Sequence, residues 1–404
     1  MAQKRKMMHY DESMAILAGV TVEKPRTHYR YLTETPGFIL ADDIVADSTM
    51  PEFPTSGMDG YAVRYADLMR GRLRVTGDNP AGSDLKDIVR PGECIKTFTG
   101  SLMPEGSDTL IPIENVTVEG EEIIIDEPVP LGYAVRPVGE AYSQGDILIP
   151  RSTEIGFAEI GVMAGLNIEK PMVFDKPVVA VLSTGSELLQ LGEEQTSDAQ
   201  IRSTNNYTIE AIVNRYGGEA LRLESPRDDH EGTLQAMADA VEQSDIVVTT
   251  GGVSVGDYDF VKDVIGELGF EVLFRGVRIK PGQHIVLARK GDKFILALPG
   301  FAYSSTVTSL LYLLPLMGKF TYRDLHLPVV KAVLREPFTK RAKKAEFTAC
   351  NVALGDGRYS VDFHDKKVGT SAILTNMLGG SALLYTTEND TSKETGEEVN
   401  VILY

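Results

Sequence analysis

The chain of 404 residues contains no tryptophan and only two cysteines, Cys94 and Cys350. Two cysteines cannot form a disulfide framework or a cysteine-rich metal site in a chain of this length, so a reducing compartment is the simpler expectation. No apolar run approaches the roughly 18 residues that a membrane helix requires, because the best run, residues 310–317, is interrupted by Pro315. We therefore predict a cytoplasmic protein without membrane helices. The composition, 43% hydrophobic and 24% charged, predicts a globular fold.

Histidine is also scarce, and none of the six histidines has another three or four residues away, which argues against a zinc site. The formal net charge is −18, from 40 basic and 58 acidic side chains. The excess acid is central: residues 46–144 carry −9 and residues 176–322 carry −6, whereas residues 1–45 and 323–404 are neutral. An acidic chain of this kind argues against nucleic acid and anionic membranes as partners.

The order of segment types predicts a discontinuous first domain. Apolar residues at helical spacing over residues 12–22 and 154–166 predict two helices. Between them, short alternating runs separated by glycine and proline predict a small β domain. Because a helical pattern resumes after the β segment, we place the first domain at residues 1–45 and 145–175, with a β-rich insertion at residues 46–144.

From residue 176 to residue 322, strand and helix patterns alternate strictly. The run PVVAVLSTG predicts a strand that ends in glycine, and NNYTIEAIVNRYGG predicts a helix that ends at two glycines. Such alternation predicts an α/β domain with a mostly parallel sheet, which binds ligands at the carboxyl ends of its strands. Residues 323–404 then contain five β-rich runs, which predict a C-terminal β-barrel or sandwich.

The most informative loop follows the predicted strand that ends in TTGG and continues as VSVGDYDF. Its glycines, Gly251, Gly252 and Gly256, let the backbone approach a ligand, and N–H groups at the following helix start favour an anion such as phosphate. Asp257 and Asp259 would repel that phosphate unless a divalent cation intervened, so the pair indicates Mg²⁺ bridging phosphate oxygens. A tight turn with ordinary N-cap aspartates explains the same spacing about as well.

Further polar residues follow other predicted strands of the same domain. The loop STGSELL carries Glu187, Asp228 and Asp229 follow a third strand, and LPGFAYSS forms a fourth loop of this kind. Glu187 alone is more often a solvated residue than a ligand, and the two aspartates are as readily an N-cap pair for the next helix. Lys280, ahead of a Pro-Gly turn, becomes a candidate for charge neutralisation if the site gathers phosphate.

Two features lie outside these loops. Asp59 lies in PTSGMDGYAV, an otherwise uncharged glycine-rich turn. It is either a turn former or a functional carboxylate, and spacing does not decide between them. The basic run Lys340, Arg341, Lys343 and Lys344 either binds a phosphate or forms a solvated loop, and we favour the loop.

Several motifs occur together and in a fixed order, namely PEFPTSGMDGYAV, FTGSLMPEGSDTLIPIE, VRPVGE, STGSELL, TTGGVSVGDYDFVKDVI, IKPGQH and LPG before a helix. In this set and order, the chain resembles the MoeA family of molybdopterin molybdenumtransferases from about residue 10 onward. It is similar in the same way to the C-terminal region of gephyrin. The GGVSVGDYDF and SGMDGYAV blocks are specific to the family, and the other motifs support them.

The resemblance implies an elongated homodimer of four-domain subunits, with a Mog-like α/β domain at residues 176–322 and a C-terminal β-barrel at residues 323–404. It implies that molybdenum from molybdate is inserted into the dithiolene of adenylylated molybdopterin. Mg²⁺-dependent cleavage of the pyrophosphate link would then release AMP. A Mog-type adenylyltransferase and cofactor-accepting enzymes are the protein partners that the resemblance implies.

Matched motif by motif, the resemblance implies a set of site residues in this chain. The catalytic residues are Asp59, Glu187, Asp228, Asp259 and Lys280. Asp257 and Asp259 would bind Mg²⁺, Lys280 would bind phosphate or molybdate, and Asp59 would come from the β insertion of the dimer partner. The substrate-binding residues are Thr99, Ser183, Thr184, Gly185, Thr250, Gly251, Gly252, Ser254, Gly256, Pro299, Gly300 and Ser371.

The chain departs from the family pattern where polar or charged contacts are expected. Each departure removes a contact worth on the order of 1–3 kcal/mol if it is buried and paired. The departures motivate a second hypothesis, in which the protein is a non-catalytic pterin-cofactor carrier or scaffold. A variant of this hypothesis is an insertase for another oxyanion such as tungstate. The residues that stand at these positions are Pro137, Ala141, Ser186, Phe301, Ala302 and Ala349.

Overall fold

The computed structural model describes residues 7–83, 87–185, 187–223, 229–251 and 261–404. The chain divides into two compact units, one formed by Asp42–Lys170 and the other by Met1–Ala41 with Pro171–Tyr404. In these described ranges, no helix is long and apolar enough to cross a membrane. The domain boundaries predicted from the sequence are finer than this division and stay a prediction.

The Asp42–Lys170 unit is built around a mixed six-stranded sheet, which confirms the predicted β-rich character. Its core includes Leu73, Cys94, Ile111 and Ile123, all buried. The strands lie in the order Thr109–Pro112, Gly60–Val63, Glu93–Thr97, Arg72–Asn79, Glu122–Ile125 and Val116–Glu119. The unit also contains the short strand pairs Thr55–Ser56 with Val135–Arg136 and Ile44–Val45 with Ile147–Ile149, and the helix Phe157–Gly165.

The larger unit contains a six-stranded sheet, here called the central sheet, in which four neighbouring strands are parallel. Successive side chains point to opposite faces, so Val179 and Val181 join one buried cluster while Ala180 and Leu182 join the other. Both faces are buried, as parallel strands covered by helices require, and the predicted α/β domain is confirmed. The strand order is Glu219–Arg222, Val178–Ser183, Ile246–Thr250, Lys293–Leu298, Val286–Lys290 and Glu271–Arg275, and helices include Asn205–Arg215, His230–Gln243 and Val261–Glu267.

A long buried helix follows the last parallel strand. It begins as Ala302–Thr308, widens to a π-helix over Ser309–Leu313 and continues as Leu314–Gly318. Pro315 has no backbone N–H, so the carbonyl four residues earlier loses its helical partner, and the π segment lies at this point. The N-terminal helix Tyr10–Ala18 contributes Leu17 to the same core, and it ends before residue 22, where the sequence pattern placed its end.

The C-terminal strands close into a five-stranded barrel, as predicted. Closure depends on the long strand Ala345–Gly355, which pairs with Arg358–Asp362 and with Ser381–Thr386. The other two strands are Val329–Leu334 and Glu398–Leu403. The start of the long strand also pairs in parallel with a short strand, Ile279–Lys280. This last pairing positions the site described below.

Shorter elements complete the larger unit. Thr27–Tyr29 pairs with Met172–Phe174, so the two segments of the chain that form this unit meet in an antiparallel pair. Leu188–Leu189 pairs with Ile201–Arg202 beyond the first glycine loop. Short 3-10 helices in the described ranges of both units are Leu32–Glu34, Tyr65–Arg70, Ile113–Asn115, Lys319–Thr321 and Leu374–Met377.

Candidate functional site

A cavity of about 420 Å³ opens in the larger unit beside the Lys280 turn and the barrel. Among the described residues that line it are three lysines, Lys280, Lys344 and Lys367, and a single carboxylate, Glu346. Excess positive charge of this kind suits an anionic ligand. The lining comes from parts of residues 279–284, 299–304, 342–349 and 367–371 together with Asn376, and it includes the predicted site residues Lys280, Pro299 and Ser371.

Lys280 faces this cavity as one half of an ion pair. The strands Ile279–Lys280 and Ala345–Gly355 run in parallel with Lys280 opposite Glu346, so two residues that are distant in sequence meet. The Lys280 Nζ donates to the Glu346 Oε1 at 2.9 Å, and only 2% of the Glu346 side chain is exposed. The Glu346 Oε2 also accepts the Arg341 backbone N–H at 3.3 Å. The predicted cation of the site is therefore balanced by a buried carboxylate.

Lys344 lines the same cavity, and its position corrects one prediction. The basic run was expected to be a solvated loop, which describes the exposed Lys343 but is wrong for the half-buried Lys344. The Lys344 Nζ donates to the Gln283 Oε1, three residues beyond Lys280. Burial lowers the pKa of the Lys344 ammonium, and the positive charges of Arg278 and Lys280 lower it further. Lys344 is thus a partly desolvated cation of the cavity.

Tyr303 packs beneath the cavity and bridges two backbone groups of the barrel. Its hydroxyl donates to the Phe347 carbonyl at 3.0 Å and accepts the Ala349 N–H at 2.8 Å. These groups lie beyond the part of Ala345–Gly355 that pairs with Ile279–Lys280, so the hydroxyl takes the place of a neighbouring strand. Burial raises the pKa of the Tyr303 phenol, which keeps the hydroxyl protonated and able to donate.

Another wall of the cavity is the loop of residues 367–371, which is fixed near both ends. The Ser371 carbonyl accepts the Ser304 N–H at 3.1 Å and the Ser304 hydroxyl at 3.2 Å. The buried Asn376 side chain accepts the Lys367 N–H at 2.9 Å and donates to the Lys367 carbonyl at 3.1 Å. These bonds tie the loop to the helix that begins at Ala302 and to the 3-10 helix Leu374–Met377, which fixes the shape of the cavity.

The predicted glycine loops meet at the carboxyl ends of the parallel strands. The Thr184 N–H donates to the Thr250 carbonyl at 3.0 Å, and the Ser183 and Thr250 hydroxyls lie 2.8 Å apart. Gly251 has a φ of 90°, and a Cβ there would lie 2.9 Å from the Thr184 carbonyl oxygen. A Cβ on Gly300 would lie 3.6 Å from the Gly251 Cα. These approaches form a backbone-lined cradle in which the glycines allow the loops to lie close together.

Of the acidic residues predicted for these loops, Glu187 lies within the part of the chain that the structure describes. A Cβ on Gly185, whose φ is 144°, would lie 2.6 Å from both carboxylate oxygens of Glu187, so the carboxylate folds over the Gly185 backbone. Behind the cradle, the buried Asn206 accepts the Ser183 hydroxyl at 2.5 Å through its Oδ1. The Glu187 side chain is therefore placed beside the cradle, while remaining exposed.

Several predicted residues of these loops lie outside the described residues. They are Asp228, Gly252, Ser254, Gly256, Asp257 and Asp259, and Ser186 among the departures. Among the residues that are described, no three acidic, histidine or cysteine side chains form a metal-binding group. Asp229 is described, and its Oδ1 accepts the Gly232 N–H at 2.7 Å at the start of the helix His230–Gln243. The N-cap interpretation is confirmed for Asp229.

Asp59 and Thr99 lie together in the Asp42–Lys170 unit. The Asp59 Oδ1 accepts the Thr99 N–H at 2.8 Å and the Thr99 hydroxyl at 2.7 Å. These two hydrogen bonds hold the pKa of the Asp59 carboxyl below its usual range, the bond from the N–H having the larger effect. Asp59 is exposed, and the two hydrogen bonds from Thr99 orient its ionised carboxylate.

The departures from the family pattern lie in different surroundings. Phe301 is 62% exposed at the rim of the cavity, whereas Ala349 is 3% exposed beneath it. Ala302 begins the helix that follows Phe301. In the other unit, Pro137 and Ala141 flank an exposed ion pair in which the Arg136 Nε and the Glu140 Oε2 are 2.5 Å apart.

Sequence reasoning missed Glu346, Tyr303 and Ser304 as parts of the site. A signal existed for Glu346, because a charged residue within an apolar β-rich run is rarely buried unless it is paired. No comparable signal marked Tyr303, whose hydroxyl becomes important only because the short strand Ile279–Lys280 ends before it reaches Phe347 and Ala349.

Comparison with known proteins gives two family matches. Residues 8–166 match the MoeA N-terminal region (domain I and II), and residues 180–319 match a probable molybdopterin binding domain. A molybdopterin molybdenumtransferase of Nostoc sp. is 30% identical over 381 residues, which cover 91% of this chain and 86% of the relative. One of Haemophilus influenzae is 32% identical over 296 residues, 73% of each chain. The crystal structure of the molybdopterin biosynthesis moeA protein from Pyrococcus horikoshii OT3 matches with a TM-score of 0.85 at 28% identity, covering 99% of this chain and 100% of that chain.

Proposed function

This chain belongs to the MoeA family of molybdopterin molybdenumtransferases, and we propose that it inserts molybdenum from molybdate into adenylylated molybdopterin. In the proposed reaction, the dithiolene sulfurs of the pterin bind molybdenum, and the pyrophosphate link to the adenosine is cleaved with release of AMP. Both the substrate and the leaving group carry phosphate, and molybdate is itself a tetrahedral dianion. The site must therefore bind oxyanions in a protein whose net charge is −18.

The observation that carries this proposal is the cationic cavity. Of the described residues that line it, three are lysines and one is a carboxylate, although the chain as a whole has more acidic than basic residues. Surface carboxylates more than about 10 Å away are largely screened at 0.1 M salt, so the charges that contact the ligand decide whether an oxyanion binds. Lys280 supplies an oriented ammonium, because its pairing with the buried Glu346 fixes its Nζ at the cavity.

The glycine cradle provides the second part of the proposed site, for the phosphates. A Cβ on Gly251 would lie 2.9 Å from the Thr184 carbonyl oxygen, so glycine there lets the two loops come together at the strand ends. Thr184, Thr250 and Ser183 contribute hydroxyls at the same strand ends. We propose that this cradle binds the phosphates of the pterin nucleotide while the cavity binds molybdate.

Mg²⁺ is the metal that we propose for cleavage of the pyrophosphate link. The described surroundings fit a metal-bound phosphate, because the Glu187 carboxylate lies over Gly185 beside a cradle that a Cβ would fill. We propose that Asp257 and Asp259 hold the metal. When bound, Mg²⁺ would neutralise phosphate oxygens and stabilise the charge that develops on them. Asp228 completes the proposed set of acids.

We also propose that the protein acts as a homodimer in which Asp59 and Thr99 of one protomer serve the site of the other. The ionised Asp59, held by Thr99, supports a role in orienting a ligand. Mixing an inactive Asp59→Ala variant with an inactive Lys280→Gln variant should restore activity, since mixed dimers would contain one complete site. Failure of the mixture to regain activity would leave Asp59 without this role. A Mog-type adenylyltransferase, cofactor-accepting enzymes and a cytoplasmic location belong to the same proposal.

Release of AMP tests the proposed function directly. The purified protein, supplied with adenylylated molybdopterin, molybdate and Mg²⁺, should release AMP, and Asp259→Ala and Lys280→Gln should lose most of that activity. The matched control is Lys331→Gln, which removes an exposed barrel lysine whose Nζ lies 3.4 Å from the Glu398 carboxylate. A wild-type protein that releases no AMP under these conditions would refute the proposal.

The second candidate function is a carrier or scaffold that binds the pterin nucleotide without turnover. The observation that favours it is Ala349, which is buried against the Tyr303 hydroxyl and supplies no polar side chain to the cavity. Tight binding of adenylylated molybdopterin without AMP release would support this function. AMP release that depends on tungstate rather than molybdate would instead support an insertase for the other oxyanion.

A further inference from the structure

Charge balance in the cavity leaves the role of Lys344 unexplained. The Glu346 Oε1 lies 2.9 Å from the Lys280 Nζ, and this carboxylate neutralises the charge of Lys280. Lys344 instead donates to a neutral amide oxygen, the Oε1 of Gln283. In the described part of the chain, no carboxylate forms an ion pair with Lys344. A partly buried ammonium of this kind is costly unless something else compensates its charge.

The other basic groups of the same run have different roles. The Lys340 Nζ donates to the Lys344 carbonyl at 2.6 Å and to the Thr386 hydroxyl at 3.3 Å. The Arg341 Nη1 donates to the Val368 carbonyl at 3.3 Å, and Lys343 is exposed. Only Lys344 of this run lines the cavity.

Lys344 is also held in place before any ligand arrives. Its hydrogen bond to Gln283 joins the barrel to the turn that carries Lys280, and both lysines line the cavity. Burial, and after it the nearby charges of Arg278 and Lys280, disfavour the charged form of the Lys344 side chain and lower its pKa. A dianion between Lys280 and Lys344 would relieve that repulsion and supply the missing counter-charge.

We propose that Lys344 binds the tetrahedral oxyanion in the cavity directly, as a half-buried cation whose charge Glu346 does not cancel. Lys280 then orients the same ligand from its fixed ion pair. The proposal deepens the proposed function and rests on it only for the identity of the oxyanion as molybdate. The phosphate of the nucleotide presents the same tetrahedral oxygens, so the test compares both.

The experiment measures Kd by calorimetry for molybdate, tungstate, inorganic phosphate and AMP, each alone. Lys344→Gln keeps a hydrogen-bond donor for Gln283 but removes the charge, and it should weaken oxyanion binding at least about tenfold. Lys344→Arg should stay within about threefold of wild type, because it keeps the positive charge. Lys343→Gln is the matched control, since it removes the same charge from the exposed neighbour.

The outcomes separate a binding role from a structural one. If Lys344 only braces the turn at Gln283, Lys344→Gln will bind all four anions as wild type does, and the proposal fails. It also fails if wild type binds none of them, or if Lys343→Gln is as weak as Lys344→Gln. Loss confined to molybdate and tungstate supports the proposal for the metal oxyanion, and loss confined to phosphate and AMP supports it for the nucleotide.

The AMP-release assay distinguishes this inference from the proposed function. A wild type that releases AMP, with unchanged oxyanion binding in Lys344→Gln, refutes only the role of Lys344. A wild type that binds oxyanions through Lys344 without releasing AMP refutes only the proposed reaction. In an active enzyme, Lys344→Gln should raise KM for the oxyanion more than it lowers kcat, because a lost binding contact acts on the ground state as well.

Discussion

Tyr303→Phe removes one oxygen atom and is expected to leave two backbone groups of the barrel without a partner. The Tyr303 hydroxyl donates to the Phe347 carbonyl at 3.0 Å and accepts the Ala349 N–H at 2.8 Å. All three residues are at most 3% exposed, so solvent does not readily replace the lost bonds. The substitution keeps the ring and its packing, and its effect therefore reports the two hydrogen bonds.

The expected magnitude follows from the number of groups left unsatisfied. Each buried polar group that loses its partner costs about 1–3 kcal/mol, and two such groups give about 2–4 kcal/mol after some relaxation. At about 1.4 kcal/mol per tenfold change, opening of this strand segment should become about 30-fold to several-hundred-fold more frequent. The chain is too large for simple two-state unfolding, so a local measurement is preferable.

Hydrogen exchange at the Ala349 amide is that measurement, because this N–H donates directly to Tyr303. In Tyr303→Phe, the amide should exchange faster by the factor given above. The matched control is Tyr312→Phe on the same helix. The Tyr312 hydroxyl lies 2.8 Å from the Ser13 Oγ, which also donates to the Tyr10 carbonyl, so this substitution removes a buried hydroxyl away from Ala349. The control should leave exchange at Ala349 unchanged. An unchanged rate at Ala349 in Tyr303→Phe would refute the reasoning.

Two further predictions concern local hydrogen bonds outside the cavity. Asp229→Ala should cost about 1 kcal/mol at the start of the helix His230–Gln243, because the Gly232 N–H loses its acceptor, while Asp229→Asn should retain most of that stability. Exchange at the Gly232 amide measures this, and equal rates in the two variants would contradict the capping role. Thr99→Val should raise the pKa of Asp59 toward its usual value, because one of the two bonds that lower it is lost. Because the pKa of Asp59 is lowered, its two hydrogen bonds contribute their full stability above the usual aspartate pKa. That stability is lost as the pH falls through the lowered pKa, where the carboxylate becomes protonated. Carboxyl NMR titration of wild type and variant measures the difference, and an identical midpoint would show that the hydroxyl has no such effect.

Much of the fold could be predicted from the sequence because it depends on local periodicity. Apolar runs such as residues 178–182 alternate between two buried faces, and each is followed by a loop and a helix, which indicates parallel strands. Glycines after those strands mark where the backbone turns sharply, and Gly251 does have the positive φ that favours glycine. The five C-terminal strands were equally visible. The end of the first helix was placed too late, because the apolar residues Val20 and Val22 continue the apolar pattern beyond Gly19, where the helix is capped.

The candidate site was only partly predictable for a related reason. Lys280 and Glu187 lie beside glycine turns, so their neighbourhood was visible in the sequence. The family resemblance added Ser371 and Pro299 and assigned Asp59 to the same site, although no spacing rule connects these residues to Lys280 and Glu187.

By itself, the sequence determined the order of the strand and helix segments, the positions of the glycine loops and the acidic balance of the chain, because each depends on residues that are consecutive in sequence or on composition. Only the tertiary structure decided that Glu346 neutralises Lys280 and that the Tyr303 hydroxyl bonds the edge of the strand Ala345–Gly355. It also decided that the Lys344 side chain lines the cavity instead of being fully exposed. These contacts depend on the register of Ile279–Lys280 against Ala345–Gly355, which a side chain's neighbours in sequence do not specify. The sum of −18 gives no hint of them, because an anion site is made by a few charges at contact distance.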